Sequence, residues 1–215
     1  MQGGPNFVTS NDVKGQDFRL KDVRTEPAVL GGVIIGYDFV KDGFLGYDWP
    51  KWMKYFSVAV DVTYNNYSQK AQNVKMIPKK GDPLSLNISS VDGHMLVVSF
   101  LLIAKYGFLP TPESPFGRLI PYVGVGSGIF FSVAETDYSA FMYPSSDSAE
   151  IGILTEAGIR YMLRPNVSFD AAFRYRYVVP SYDAAYYSNA LGEFYNVGRI
   201  FAHQFSAIFR LNYHF

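Results

Sequence analysis

The chain has 215 residues, of which 48% are hydrophobic, 17% aromatic and 18% charged, and its 19 basic residues balance its 19 acidic ones. It contains no cysteine, which excludes disulfide frameworks, thiolate metal sites and cysteine nucleophiles. Its zero net charge offers no electrostatic surface for nucleic acid. The longest largely apolar run, at 95–104, is about half the length that a membrane-spanning helix needs.

Apolar and polar residues alternate along most of the chain, with the two-residue period that is typical of β-strands. In one such segment Phe56, Val58 and Val60 share one face, and Ser57 and Asp61 lie between them on the other. In chain order, the alternation predicts seven strands, at 28–40, 54–67, 93–106, 119–135, 150–163, 166–180 and 199–215.

The lengths of these strands and of their connections indicate a membrane barrel. Many of the strands reach 12 residues or more, whereas about 9–11 tilted residues cross the apolar part of a bilayer. The connection at 163–166 is a tight turn, although 41–54 and 107–118 are long for turns. The longer polar connections lie at 68–92, 136–149 and 181–198. Short turns at one end and long loops at the other are a feature of outer-membrane barrels.

The alternation does not tell by itself which face of each strand points outward. A soluble lipocalin-like carrier would turn its apolar face inward, whereas a membrane barrel turns it toward lipid. Charges in the middle of strands, such as Asp61 and Asp170, favour a polar interior. Tyrosines near strand ends, such as Tyr64 and Tyr213, match the aromatic belts at membrane surfaces. We therefore predict that the apolar face points outward.

Seven strands are one short of closure, because bacterial membrane barrels have even strand numbers and lipid does not tolerate open sheet edges. Residues 3–8 are the best candidate for the missing strand, although they are few for a complete crossing. Residues 16–23 could instead add pairing above the membrane. The sequence thus predicts one all-β domain over 1–215, an antiparallel up-and-down transmembrane β-barrel of about eight strands with a short or truncated first strand.

Four motifs in order resemble the small eight-stranded outer-membrane β-barrel family that includes the transmembrane domain of outer-membrane protein A. They are GGVIIGYDF (31–39), IPYVGVGSG (120–128), GIRYMLRPNVSFDAAFRYRY (158–177) and FRLNYHF (209–215). The resemblance implies location in the outer membrane of a Gram-negative-type bacterium, with both termini on the periplasmic side. It also implies that Phe215, with Tyr213 and Leu211 on the same face, is the terminal signal that the barrel-assembly machinery reads.

The inward-facing charges form the candidate functional site. Glu156 and Arg160 share one strand face, and Asp170 and Arg174 share a face of the next strand. Because an unpaired charge in a narrow interior is costly, we expect a paired network that plugs the lumen. Its predicted members are Asp61, Lys105, Glu156, Arg160, Asp170, Arg174, Arg176 and Arg210. The alternative is a small gated pore for ions or small apolar solutes, whose salt bridges exchange partners.

The sequence offers little for catalysis. Its three histidines are far apart along the predicted strands, whereas an active site needs convergent titratable groups. We therefore predict a non-enzymatic protein that needs no cofactor or metal and that supports envelope integrity or binds a surface or envelope partner. The aromatic connection before the last strand is the predicted recognition surface, with Tyr182, Tyr186, Tyr187, Phe194 and Tyr195.

Overall fold

The structure, a computed structural model, consists almost entirely of β-strands. It describes residues 1–9, 11–14, 18–39, 48–79, 82–88, 90–136, 145–181, 185–187, 194–196, 199–200 and 202–215. The strands of these residues are, in chain order, β1 (Gln2–Val8), β2 (Asn11–Lys14), β3 (Phe18–Val23), β4 (Ala28–Asp38), β5 (Phe56–Gln69), β6 (Gln72–Pro78), β7 (Leu84–Ile88), β8 (Val91–Lys105), β9 (Leu119–Thr136), β10 (Ser145–Arg164), β11 (Val167–Val178), β12 (Ala185–Tyr187), β13 (Phe194–Asn196), β14 (Arg199–Ile200) and β15 (Ala202–Tyr213). A short 3-10 helix, Lys51–Tyr55, precedes β5. Within the described ranges, no helix combines the length and the apolar character that crossing a membrane requires.

Eight of the strands form a closed antiparallel barrel, in the order β1-β15-β11-β10-β9-β8-β5-β4. Each barrel strand after β1 follows a predicted strand, with ends that differ by a few residues. The largest difference is in β10, which begins five residues earlier than the pattern predicted because its pairing with β9 continues to Ser145 opposite Glu135. The predicted up-and-down barrel is therefore confirmed.

The barrel closes through the short first strand. β1 pairs with β15 on one side, where Gln2 lies opposite Arg210, and with β4 on the other, where Gln2 lies opposite Gly32. The Met1 amino group hydrogen-bonds the Leu211 carbonyl at 3.0 Å, so both termini lie at the same end of the barrel. We call this the terminal end and the opposite end the loop end. The seven residues of β1 are sufficient to remove both sheet edges, as the fold requires in lipid.

The apolar faces of the barrel strands point outward, as predicted. Val60, Phe100 and Ile153 are exposed, whereas Asp61 and Arg174 on the opposite faces are completely buried. A water-soluble barrel would have the reverse arrangement, with apolar side chains in its interior. The lipocalin-like alternative is therefore inconsistent with this pattern, which is the one that a barrel in lipid requires.

A second, five-stranded sheet with the order β14-β2-β3-β6-β7 extends the barrel wall at the loop end. The described part of the segment 16–23, which is β3, does contribute pairing beyond the barrel, since its Leu20 lies opposite Met76 of β6. The pattern did not predict β6 and β7, which lie inside the connection at 68–92. Leu20 and Val74 are buried on one face of this sheet.

Candidate functional site in the barrel lumen

The lumen is lined by every second residue of the eight barrel strands, so the register of neighbouring strands decides which inward side chains meet. Glu156 of β10 lies opposite Arg174 of β11. Asp170 lies four residues before Arg174 on β11, toward the terminal end. It is opposite both Arg160 of β10 and Arg210 of β15. Carboxylates and guanidinium groups therefore alternate around this part of the barrel wall.

The central contact crosses the lumen. The Arg174 guanidinium donates from Nη2 to Asp61 Oδ2 at 2.7 Å and from Nη1 to Asp61 Oδ1 at 3.1 Å. β11 and β5, which carry these residues, lie four strands apart in the eight-stranded ring and thus on opposite walls. Both side chains are completely buried. The bidentate pair therefore spans the full width of the barrel.

Glu156 joins this pair to a second arginine. Its Oε2 accepts from Arg174 Nε at 2.7 Å and from Arg210 Nη2 at 2.6 Å, and its Oε1 accepts from Arg210 Nη1. Because each Glu156 oxygen accepts charge-assisted hydrogen bonds, its carboxylate is stabilised in the ionised form despite its burial.

An amide from the first strand completes a closed cycle of hydrogen bonds. The Gln2 side chain accepts from Arg210 Nε at 2.7 Å through Oε1 and donates to Asp61 Oδ2 at 2.7 Å through Nε2. The cycle therefore runs through Asp61, Arg174, Glu156, Arg210 and Gln2, and we call these five residues the ionic ring.

Tyr122 of β9 anchors the ionic ring to the adjacent wall. Its hydroxyl accepts from Arg210 Nη1 at 2.9 Å and donates to Glu156 Oε1 at 3.1 Å. The Tyr122 ring lies over Gly158, where an added Cβ would approach the ring and hydroxyl to 2.7 Å. Glycine at this position provides the space that the tyrosine occupies.

Two further ion pairs lie toward the terminal end. Arg160 binds Asp170 with both Nε and Nη2, at 3.0 and 3.1 Å. Lys105 binds Asp38 at 2.5 Å, and Asp38 also accepts from the Ser57 hydroxyl. Lys105 thus belongs to a separate pair and not to the ionic ring. Asp38 had not been predicted, because β4 is apolar on both faces for most of its length and its alternation does not identify the inward side.

Arg176 differs from the other predicted members of the network, because it has no carboxylate partner. Its Nη2 donates to the Thr63 hydroxyl at 2.7 Å. Its Nε and Nη1 have no hydrogen-bond partner, although the side chain is completely buried. The prediction that Arg176 belongs to the paired network is therefore wrong for its ion pairing, although the residue does lie in the lumen.

Two apolar clusters also lie in the lumen. Ala59, Leu101, Ile103 and Leu154 pack with Tyr122 in one cluster. A second cluster lies toward the loop end and comprises Met95, Val97, Phe130, Val178 and Ala202. Eight strands enclose an interior just wide enough for side chains, and here these side chains meet across it.

The predicted assembly residues lie on the outward face at the end of the last strand and not in the lumen. Leu211, Tyr213 and Phe215 are all exposed, and the rings of Tyr213 and Phe215 are in edge contact with centroids 5.0 Å apart. Tyr182 lies outside the described residues. The other four predicted recognition residues belong to a small hairpin, in which the backbones of β12 and β13 pair with Tyr186 opposite Tyr195 and Tyr187 opposite Phe194.

Sequence reasoning missed several polar side chains of the lumen, among them Gln2, Tyr122 and Asp38. Gln2 lies in a strand too short to show alternation. Tyr122 lies on the inward side of 119–135, but its motif, IPYVGVGSG, is apolar on both sides. The charged members of the ionic ring were predicted from their charge on an inward strand face. Gln2 and Tyr122 are uncharged, so this criterion did not identify them.

A closed barrel with an apolar outer surface and an ion-paired interior defines a membrane-spanning β-barrel architecture. Comparison with solved structures finds outer membrane protein OprG from Pseudomonas aeruginosa at 20% identity and a TM-score of 0.55, over 100% of this chain and 94% of that chain. Neisserial surface protein A (NspA) is also similar, at 16% identity and a TM-score of 0.44, over 98% of this chain and 94% of that chain. No protein-family model and no curated protein matches the chain. The similarity to OprG shows that the chain has the eight-stranded barrel fold.

Proposed function

We propose that the protein is an integral barrel of a bacterial outer membrane, without enzymatic activity, whose lumen is closed by paired charges. Its role is then envelope integrity or interaction at the cell surface. The observation that carries the closed-lumen proposal is the bidentate pair between Arg174 and Asp61, which crosses the interior from wall to wall. The shared fold with OprG, an outer membrane protein, supports the location.

The positions of the histidines support a role without catalysis. His94 stacks on Tyr64, and His203 packs beside Tyr175 on the outer surface. His214 lies at the terminal end, where its Nε2 hydrogen-bonds the Ser168 hydroxyl at 2.9 Å. No two of the three share a site, which is unlike the convergent groups of an active centre.

Planar-bilayer recording tests the closed lumen against the gated-pore alternative. We expect the purified protein to give no reproducible unitary conductance at neutral pH. A variant such as R174M, which removes the bond across the lumen, should give conductance if the ionic ring is what closes the barrel. Reproducible conductance of the unmodified protein that is abolished by E156Q or by R160M would instead support a pore whose ion pairs act in conduction.

The five-stranded sheet at the loop end supports a surface interaction. Lys21 lies opposite Lys75 on neighbouring strands, and Lys14 lies opposite Arg19. Neither Lys21 nor Lys75 has a carboxylate partner among the described residues. Like charges directly opposite each other destabilise a sheet, so an anion bound between Lys21 and Lys75 stabilises it. We call the face that carries these four side chains the cationic face.

The occupant proposed for the cationic face is a phosphate-bearing glycolipid of the outer leaflet. The sheet continues the barrel wall at the end opposite the termini, where the headgroups of that leaflet would surround it. Arginine and lysine bind phosphate through charge-assisted hydrogen bonds. The nearby Glu26 does not compete, because it is paired with Lys70 at 2.5 Å, and this hydrogen bond lowers the pKa of its carboxyl.

Native mass spectrometry of the detergent-solubilised protein tests this partner. We expect the protein to retain lipid A that carries both phosphates and to lose it after enzymatic removal of the phosphates. The double variant K21E/K75E should lose retention, whereas K51E/K54E, at exposed lysines of the terminal end, should keep it. Equal retention of the dephosphorylated lipid would contradict the proposal, and equally tight binding of soluble tripolyphosphate would assign the face to a free anion.

The outward face of the last strand supports recognition by the barrel-assembly machinery. Leu211, Tyr213 and Phe215 alternate on this face at the end of the chain and are exposed. We expect a variant with F215S to reach the outer membrane in reduced amounts, although the side chain makes no lumen contact. The measurement is the folded fraction in isolated outer membranes, and unchanged assembly would contradict this role.

A further inference from the structure

The ionic ring together with Arg176, two residues farther along β11, has one more positive charge than negative charge. This part of the lumen contains two carboxylates, Asp61 and Glu156, and three guanidinium groups, on Arg174, Arg176 and Arg210, all of them buried. Asp61 forms an ion pair with Arg174, and Glu156 forms ion pairs with Arg174 and Arg210. The remaining positive charge is therefore carried by Arg176.

Other carboxylates of the interior are also engaged elsewhere. Asp170 binds Arg160 with both oxygens, and Asp38 binds Lys105. Glu150, on the inward side of β10 toward the loop end, accepts a hydrogen bond from the Ser181 hydroxyl. Arg176 thus forms no ion pair with a carboxylate among the described residues. Burying such a charge without a partner costs several kcal/mol.

The groups around Arg176 are rich in unused hydrogen-bond donors. On Arg176 itself, Nε and Nη1 have no partner. Its bond to Thr63 places the guanidinium beside the next inward position of β5, Asn65, whose amide nitrogen and oxygen have no partner. Further unpartnered lumen donors are Asn6 Nδ2 and Ser99 Oγ. All four side chains are completely buried.

The surroundings of this layer limit the size of a ligand. Val178 follows Arg176 by two residues on β11, and it belongs to the apolar cluster toward the loop end. On the other side, Arg174 precedes Arg176 by two residues and belongs to the ionic ring. Gln204, opposite Arg176 on β15, reaches Met95 on the far wall through a contact of 3.4 Å. The layer is therefore enclosed above, below and across.

We infer that Arg176 is the centre of a binding site for one small inorganic anion of halide size, held by Nε and Nη1 of Arg176 with donors from the neighbouring amides. Such an ion neutralises the excess charge and accepts hydrogen bonds that the protein leaves unmade. A layer bounded by side chains on three sides favours a small anion over a large one, and water satisfies the hydrogen bonds without supplying the charge. Because the site is sealed by the folded barrel, the anion binds during folding.

Crystallography with bromide tests the site directly. The protein is refolded from urea in detergent with sodium bromide, so that the ion is present before the barrel closes, and crystals are grown in the same salt. We expect an anomalous bromide peak within hydrogen-bonding distance of Arg176 Nη1. Density at this position without an anomalous signal would show an ordered water and overturn the inference.

Unfolding in different salts provides an independent test. An ion that binds only the folded state raises its stability by mass action, so the urea midpoint should be higher in bromide or chloride than in gluconate at equal ionic strength. R176M should remove this difference, and R24M, at an exposed arginine, should retain it. If R176M does not fold, R176Q replaces it. A halide effect of the same size in both lumen and surface variants would contradict the site.

Discussion

Glu156 is the carboxylate that joins the two arginines of the ionic ring, since it accepts from Arg174 of β11 and from Arg210 of β15. E156Q removes the negative charge, leaves Arg174 with Asp61 and leaves Arg210 with the neutral partners Gln2 and Tyr122. Removing one partner of a buried ion pair typically costs about 3–5 kcal/mol, and we expect a loss of this size in the free energy of unfolding.

Urea unfolding in lipid vesicles, followed by tryptophan fluorescence, measures the effect of E156Q. The matched control is E113Q, which makes the same chemical change at an exposed position of the terminal end and should leave the midpoint unchanged. Equal midpoints for the two variants would mean that the ionic ring does not contribute to stability in the membrane.

Gly158 tests the packing of Tyr122 against the ring. In G158A the new methyl group would lie 2.7 Å from the Tyr122 ring and 2.8 Å from the Ala171 carbonyl. The tyrosine cannot move away without losing its bonds to Glu156 and Arg210, so we expect a loss of about 1–3 kcal/mol. G31A is the control, because no atom lies within 4 Å of its added Cβ. Equal stability of the two variants would contradict the tight fit.

At the scale of single residues, sequence reasoning identified charges and missed neutral partners. Alternation placed Asp61, Glu156 and Arg174 on inward faces, because each lies in a strand whose other face is apolar. It did not identify which arginine lacks a counter-charge. That property of Arg176 depends on distances between opposite walls of the barrel, which have no counterpart in the spacing of residues along one strand.

At the scale of elements, the pairing of β3 with β6 sets two lysines opposite each other. K75E replaces the repulsion between Lys21 and Lys75 by an attraction. Cross-strand charge pairs contribute about 0.2–1 kcal/mol, so we expect slower hydrogen exchange of the backbone amides in 18–23 and 72–78. The effect should shrink at high salt, because exposed charges are screened. K54E, at the terminal end, is the control, and unchanged exchange in K75E at low salt would contradict the like-charge contact.

The strands of this sheet also show where alternation loses its predictive power. Long strands with one apolar face, such as β5 and β11, follow the predicted segments closely. β6 and β7 are only seven and five residues long, and they lie in a connection that contains Pro78 and Pro83. β6 pairs with β3, which is distant in sequence, and β7 pairs with β6, so the position of both strands in the sheet depends on a pairing that no local pattern predicts.

At the scale of the whole molecule, the arrangement of faces and the closure of the barrel depend on each other. Lipid provides no hydrogen bonds for free sheet edges, so an outward apolar face is stable only on a closed sheet. Closure in turn brings opposite walls close enough for Arg174 to reach Asp61. The short β1 is therefore essential to both, since it provides the last pairing and the amide of Gln2.

A pair of arginine substitutions on the outer surface tests this arrangement in the membrane. Val60 lies on the outward face of β5 between Phe56 and Tyr64, and Tyr213 lies near the end of β15. An arginine at the bilayer midplane costs about 2–4 kcal/mol, and near the interface about 0–1 kcal/mol. We therefore expect V60R to lower the free energy of unfolding in vesicles by several times as much as Y213R. If water covered this surface, both exposed substitutions would change stability by less than about 0.5 kcal/mol. Equal small effects of V60R and Y213R would therefore show that the apolar face does not contact a bilayer.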